Sequence, residues 1–375
     1  MNSDNDSIKP SPKWMTSGRF LADLGGRVAS FCVAAYLDFK EYIGLGRQLE
    51  GTESISALNT VSGIDERIFQ FLEIPFRRIY LGNAEGFSDR KGGDGSFFDE
   101  WGVKYIRSGF YNERVFHPLA NAECIDDILG YSWPNPSDEG RTSGLKQRIQ
   151  EISANSEVIL AAGHISAGIF QDCWNLRGMQ KFFEDMVINR EFAEALIEKI
   201  TDIHIGLWNT FLSVVGNYVD IVETADDLGS QKGLLISPVM YRKLIKPYHQ
   251  KLNMAIRKKT NAKILYHSCG AIMPLIEDLI EIGVDILNPI QPLNGLMEPC
   301  ELARKFSNRI IFHGGLDVQN LLLNGTEEEI KIHVKKYYAN LGTDGYIMAP
   351  TNTIQPGTPP ANILAAYHVI KEISV

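Results

Sequence analysis

An imidazole and a thiol stand two residues apart at His267 and Cys269, within Tyr266-His267-Ser268-Cys269-Gly270-Ala271-Ile272-Met273. A short apolar run over 262–265 precedes them and a helical pattern over 275–282 follows, so they fall where a strand ends. Side chains alternate faces along a strand, which points both residues the same way, one pleat apart. Such a pair is half of a soft-metal site, because zinc takes both ligand types in tetrahedral geometry. Gly270 then lets the backbone turn sharply away. The same two residues could equally be a buried small hydrophobe and a hydrogen-bonded core histidine. Spacing alone leaves both readings open.

The elements that must position this pair alternate along the whole chain. Candidate strands lie at 19–24, 78–81, 158–162, 219–224, 263–267, 285–289, 309–313 and 345–349, most of them apolar at consecutive positions. That pattern suits strands buried on both faces of a parallel sheet. Helical patterns lie between them at 182–204, 238–258, 273–282, 299–306 and 327–341. Ser237 with Pro238 marks one helix start, and Thr326 with Glu329 forms a capping box at another. Eight strand–helix units predict an α/β protein with a (β/α)8 TIM barrel. Residues 83–141 break the rhythm with Gly, Asp and aromatic residues, and predict a hairpin-bearing insertion after strand two, from 103–107 and 113–118. That insertion would be a lid over the barrel mouth or a homodimer contact. The sequence predicts a flexible tail over 1–17 and a single domain over 18–375.

The chain has 375 residues, 44% hydrophobic and 22% charged, with a net charge of −9. This is ordinary globular composition, and no basic run offers a nucleic-acid face. Five cysteines without framework spacing point to a reducing compartment. No stretch is apolar enough for a secretory signal or a membrane span, and the expected location is cytoplasmic, away from membranes.

In a barrel, catalytic groups project from the C-terminal ends of the strands. Those ends carry Arg27, His164, the group Glu223 to Asp227, His267 with Cys269, Gln291, Asp317 and Asn352. Convergence of the set favours a polar pocket that takes a small-molecule substrate. The competing reading is that single members cap the next helix, with Asp317 and Asp227 the strongest cases and Asp226 a turn residue. Asp227, Glu223 and His164 are the candidate catalytic residues. Arg27, Gln291, Asp317 and Asn352 are the candidate substrate-binding residues.

At these positions the chain resembles the uroporphyrinogen decarboxylase superfamily, which includes zinc-dependent methyltransferases of corrinoid methyl transfer. The resemblance runs from about Arg19 to Ile373. It is carried by Thr224-Ala225-Asp226-Asp227-Leu228-Gly229-Ser230-Gln231, Ile236-Ser237-Pro238-Val239-Met240-Tyr241, His267-Ser268-Cys269-Gly270, Asp285-Ile286-Leu287-Asn288-Pro289 and Gly314-Gly315-Leu316-Asp317. It implies the (β/α)8 fold. The decarboxylase pattern of two arginines four apart is broken here, with Phe31 four residues after Arg27. The methyltransferase pattern matches at His267 and Cys269, whereas Asn352 stands where a second cysteine would fall. The branch this implies is a methyltransferase with zinc on His267 and Cys269, working with a corrinoid protein or a methylated small molecule. Asp227 or Glu223 would add a metal ligand or proton acceptor, and Gln291 and Asn352 would orient the substrate. The alternatives are decarboxylation of a carboxylated tetrapyrrole, with Asp227 or His164 as proton donor and Arg27 on a carboxylate, or corrinoid or tetrapyrrole binding without turnover.

Overall fold

A computed structural model describes residues 14, 18–26, 29–51, 53–153, 158–293 and 295–373. Arg27 lies outside the described residues, as does the expected tail apart from Trp14. Eight strands form one parallel sheet. They are Leu21–Ala22 (β1), Phe76–Ile79 (β2), Ile159–Ala162 (β3), Ile221–Ala225 (β4), Lys263–His267 (β5), Ile286–Ile290 (β6), Ile311–Leu316 (β7) and Tyr346–Pro350 (β8). Each overlaps one of the eight expected from the sequence. Their order, β1-β8-β7-β6-β5-β4-β3-β2, runs through the chain with β1 beside β8. This is the wound order of a TIM-like barrel.

The strands hold their places because both faces are buried and mostly apolar. Every residue of β3, β6, β7 and β8 is buried, as parallel strands between helices and a filled interior require. The edges β1 and β2 share no backbone ladder among the described residues. Arg78 of β2 bridges them instead, donating from Nη1 to Asp23 Oδ1 (3.0 Å) and to the Leu24 carbonyl (3.4 Å) just beyond β1. The sheet therefore curls until its edges meet through a side chain.

Several elements differ from the sequence expectation. The helix expected over 182–204 is two, Met179–Ile188 and Arg190–Val215, divided at Asn189. The helix expected over 238–258 opens into a wide π-turn at Tyr241–Ile245 before Lys246–Arg257. Pro247 lies just beyond and has no N–H to close an i→i−4 bond, which favours such a wide turn. The capping box at Thr326 forms as expected, with Glu329 returning to the Thr326 amide at 2.8 Å.

Between β1 and β2 the chain adds a small antiparallel sheet of Phe31–Cys32, Thr60–Gly63 and Ser54–Ile55 that the sequence did not signal. Between β2 and β3 it builds a four-stranded antiparallel sheet ending in the hairpin Lys104–Ser108 and Tyr111–Phe116. The hairpin leans on the loop after β8, where the Tyr111 hydroxyl donates to Gln355 Oε1 at 2.9 Å.

Candidate metal centre

Strand β5 delivers His267 at its last position, and the chain then turns through Ser268 and Cys269. Gly270 makes the turn with φ of 88°. A Cβ there would lie 2.5 Å from the Gly229 backbone, so the turn admits only glycine. Gln291, buried after β6, accepts from the Gly270 amide at 2.6 Å and fixes the turn from the neighbouring strand.

Strand β4 runs beside β5 in register, with Ala225 opposite His267, and brings Asp227 against the same turn. Asp227 Oδ1 accepts from the Cys269 amide at 2.9 Å and lies 3.6 Å from His267 Nε2. Cys269 Sγ is 3.3 Å from the same nitrogen. The donor atoms of Asp227, His267 and Cys269 all fall within 4.8 Å of one another. Around a tetrahedral zinc ion, ligand bonds of roughly 2.0–2.3 Å place N and S about 3.5 Å apart and N and O about 3.3 Å apart. The observed separations fit that cage, and the donor set of imidazole, thiolate and carboxylate is one that zinc takes.

The cage opens outward. Asp227 is about a quarter exposed and Cys269 half-buried. Burial, reinforced by the negative charge of Asp227, pushes the Cys269 thiol well above its ordinary pKa. A cation among the three donors reverses that balance, because it attracts the thiolate that the carboxylate repels. Asn352 donates its amide to Cys269 Sγ at 3.5 Å, so it supports the sulfur rather than replacing a cysteine ligand.

Behind the cage, polar groups from most of the strands form a continuous ring. His267 Nδ1 lies 2.5 Å from Asn288 Oδ1, and Asn288 Nδ2 lies 2.6 Å from His313 Nδ1. His313 Nε2 reaches Asp23 Oδ2 at 2.9 Å, Asp23 pairs with Arg78, and Arg78 Nε donates to Glu223 Oε1 at 2.7 Å. His164 Nδ1 lies 3.2 Å from Glu223 Oε2 and its ring stands 6.3 Å from that of His267, nearly perpendicular.

Burial would raise both carboxyl pKa values. The Arg78 charge and the facing histidines outweigh it, holding Asp23 far below the carboxylate range and Glu223 down to about 2. Arg78 is itself pushed upward by the same pairs, against its burial. His164 Nδ1 stands close to Glu223 Oε2 without meeting hydrogen-bond geometry. Both ring nitrogens of His164 and Glu223 Oε2 are buried without a hydrogen-bond partner. Each such atom costs about 1–3 kcal/mol, which is tolerable where water or a ligand meets it.

The structure thus gathers Asp227, His267, Cys269 and Asn352 at one spot, with Gln291 bracing it and Glu223 and His164 beneath. Asp317 is placed otherwise. Its carboxylate accepts from the amides of Gln319 (2.8 Å), Asn320 (3.4 Å) and Leu321 (3.3 Å), which is helix-start work. Asp226 is likewise committed to structure, although not to its own turn: its carboxylate accepts from the Phe170 and Gln171 amides and from His249. Sequence reasoning did not single out Arg78. The available signal was the pair of arginines, Arg77 and Arg78, between Phe76 and Ile79 in a strand position, which demands countercharges when buried.

A TIM-like α/β sheet with ionisable groups converging at its strand ends defines the class as a barrel-type enzyme scaffold. The chain belongs to the uroporphyrinogen decarboxylase (URO-D) family, whose model matches residues 125–373. Members of that family are enzymes, decarboxylases or methyltransferases. Among solved structures, a methyltransferase from Methanosarcina mazei shares 18% identity, covering 92% of this chain and 100% of that one, with a TM-score of 0.60. A vitamin-B12-independent methionine synthase-like protein from Listeria monocytogenes shares 12% identity over 95% of this chain and 99% of that one, with a TM-score of 0.43. No curated protein matches the sequence. Among the described residues, no helix is long and apolar enough to cross a membrane.

Proposed function

We propose that this protein is a zinc-dependent methyltransferase that draws its methyl group from a corrinoid protein or a methylated small molecule. The observation that supports this most is the spacing of three donors of different chemistry, Asp227, His267 and Cys269, on a cage that faces outward. A bound zinc ion would lower the pKa of a thiol or other weak acceptor and so present it as an anion. The remaining work falls to the chain itself. Asp227 supplies the third ligand that the missing cysteine leaves open. Asn352 steadies the Cys269 sulfur from one side, and Gln291 holds the turn that aims it. His164, with two unpartnered nitrogens above an ionised Glu223, is placed to take the proton that an acceptor gives up.

The M. mazei methyltransferase supports the reading only through its scaffold, which this chain shares. Decarboxylation of a polycarboxylate would need a cation to hold substrate; Arg78 is spent on Asp23 and Glu223 and is buried, so that role would fall to Arg27. Elemental analysis of the purified protein beside Cys269→Ser tests the proposal. About one zinc per chain, lost in the variant, is expected for a site of this kind. Wild-type protein that takes up no zinc even when supplied with it would sink the proposal.

A further inference from the structure

The ring behind the cage does more than fill the barrel, because its hydrogen bonds run in one direction. Asp23 is the ionised partner of Arg78 and can only accept, so His313 Nε2 must donate to it. The amide nitrogen of Asn288 faces His313 Nδ1 at 2.6 Å and can only donate, so the ring nitrogen accepts. The amide oxygen is left facing His267 Nδ1, and that nitrogen must carry a proton. His267 Nε2 consequently carries no proton, and its lone pair faces Cys269 and Asp227. Asp23, His313, Asn288 and His267 are all buried, away from bulk water that could offer competing partners.

We propose that Asn288, His313 and Asp23 are positioning residues that lock His267 in the tautomer whose Nε2 lone pair is the metal ligand. The inference rests on the metal reading above and assigns its outer support. Ligating histidines depend on such a partner at the second nitrogen for both orientation and basicity, and its loss typically weakens metal affinity about 10–100-fold. Here the partner is a neutral amide, and the carboxylate acts one histidine further away. The four residues come from β1, β5, β6 and β7 or their ends, so the lock closes only once those strands are assembled.

Zinc affinity should be measured by chelator competition on wild type, Asn288→Leu and Asn288→Asp, with visible spectra of the cobalt-loaded proteins alongside. Asn288→Leu should bind zinc about 10–100-fold more weakly and shift the cobalt bands. Asn288→Asp keeps an acceptor at His267 Nδ1, although it removes the donor to His313, and should lose clearly less affinity than Asn288→Leu. A folded Asn288→Leu with wild-type affinity and spectrum would overturn the lock while leaving the metal site standing. A variant that loses only thermal stability would do the same, since packing alone explains it. Wild type that binds no zinc would overturn both readings together. Should Asn288→Leu fail to fold, long-range 15N–1H spectra of zinc-loaded wild type decide the matter. A proton on His267 Nδ1 supports the lock, and a proton on Nε2 ends it.

Discussion

Asp226 and Asp227 are sequence neighbours, and each faces a histidine across a gap of a few ångströms. Asp226 is fully buried and saturated. Its oxygens accept from the amides of Phe170 and Gln171, both at 2.6 Å, and from His249 Nε2 at 2.8 Å. Those amides begin the helix Ile169–Arg177, whose first residue is preceded by Gly168, with no side chain to cap it. A Cβ on Gly168 would lie 2.2 Å from the Ala225 carbonyl oxygen and 2.7 Å from Asp226 Cγ, so the glycine makes room for a cap supplied by another strand. Asp227 points the other way, is partly exposed, and keeps capacity to spare. It accepts one backbone amide and otherwise faces His267 Nε2 and the Cys269 sulfur. Alternation along an extended chain separates the two outcomes. An Asp–His pair whose carboxylate oxygens are both hydrogen-bonded inside the fold holds it together, whereas one with acceptor capacity left on the carboxylate and a path to solvent can bind something.

The largest effect that comparison predicts is at His267. His267→Gln should abolish zinc uptake, a loss beyond the 10–100-fold range of supporting residues, and methyl transfer with it. The stability of metal-free protein should change by only about 1 kcal/mol. Metal analysis beside urea denaturation reads both, and retained zinc would remove His267 from the cage. Next in size is Asp226→Ala. It strands two helix-start amides and a buried histidine, and should cost about 3–5 kcal/mol of stability, with zinc bound per folded chain unchanged. If Asp226→Ala instead left stability intact and emptied the metal site, the division between the two aspartates would be wrong.

Asp227→Asn comes third. An amide oxygen is a poorer ligand than a carboxylate, and affinity should fall about 10–100-fold without total loss. Chelator competition measures this. No change in affinity would mean that a group other than Asp227 completes the cage.

Much of this arrangement could be read from the residues, for a physical reason. Strands buried on both faces are apolar at consecutive positions, so β3, β5, β6 and β8 stand out as runs. Their ends are then where polar residues cluster, which is how His267, Cys269 and Asp227 came to notice. Arg78 did not, because its partners lie 55 and 145 residues away, and only the curling of the sheet brings them together. The order of hydrogen bonds in the ring was invisible for the same reason. Asn288 was legible as a strand-end residue, but its amide acquires a direction only between two histidines on other strands. Asp317 shows the opposite failure. It sits at a strand end like the others, yet three nearby amides claim it, as the local capping rule allowed.

A third aspartate extends the comparison at its weak end, since Asp99 is part-buried against neutral donors, the Val103 amide and the Tyr105 hydroxyl. Burial pushes its pKa up to about 6, against the Val103 amide and Tyr105 hydroxyl that donate to it at 2.9 and 3.0 Å, and the charge of Asp172 adds to the rise. The unfolded chain releases this proton near 3.8. Between those values the native state holds more protons than the unfolded one, so this group's contribution is fully present below pH 4 and is lost as pH rises through 6. The loss amounts to about 3 kcal/mol at neutral pH. Asp99→Asn removes the titration. Its stability relative to wild type should therefore climb by most of that amount between pH 4 and 7, as read by urea denaturation across that range. A difference that stays flat with pH would show that Asp99 is ionised in the native protein as readily as in the unfolded chain, and that burial alone does not separate it from Asp227.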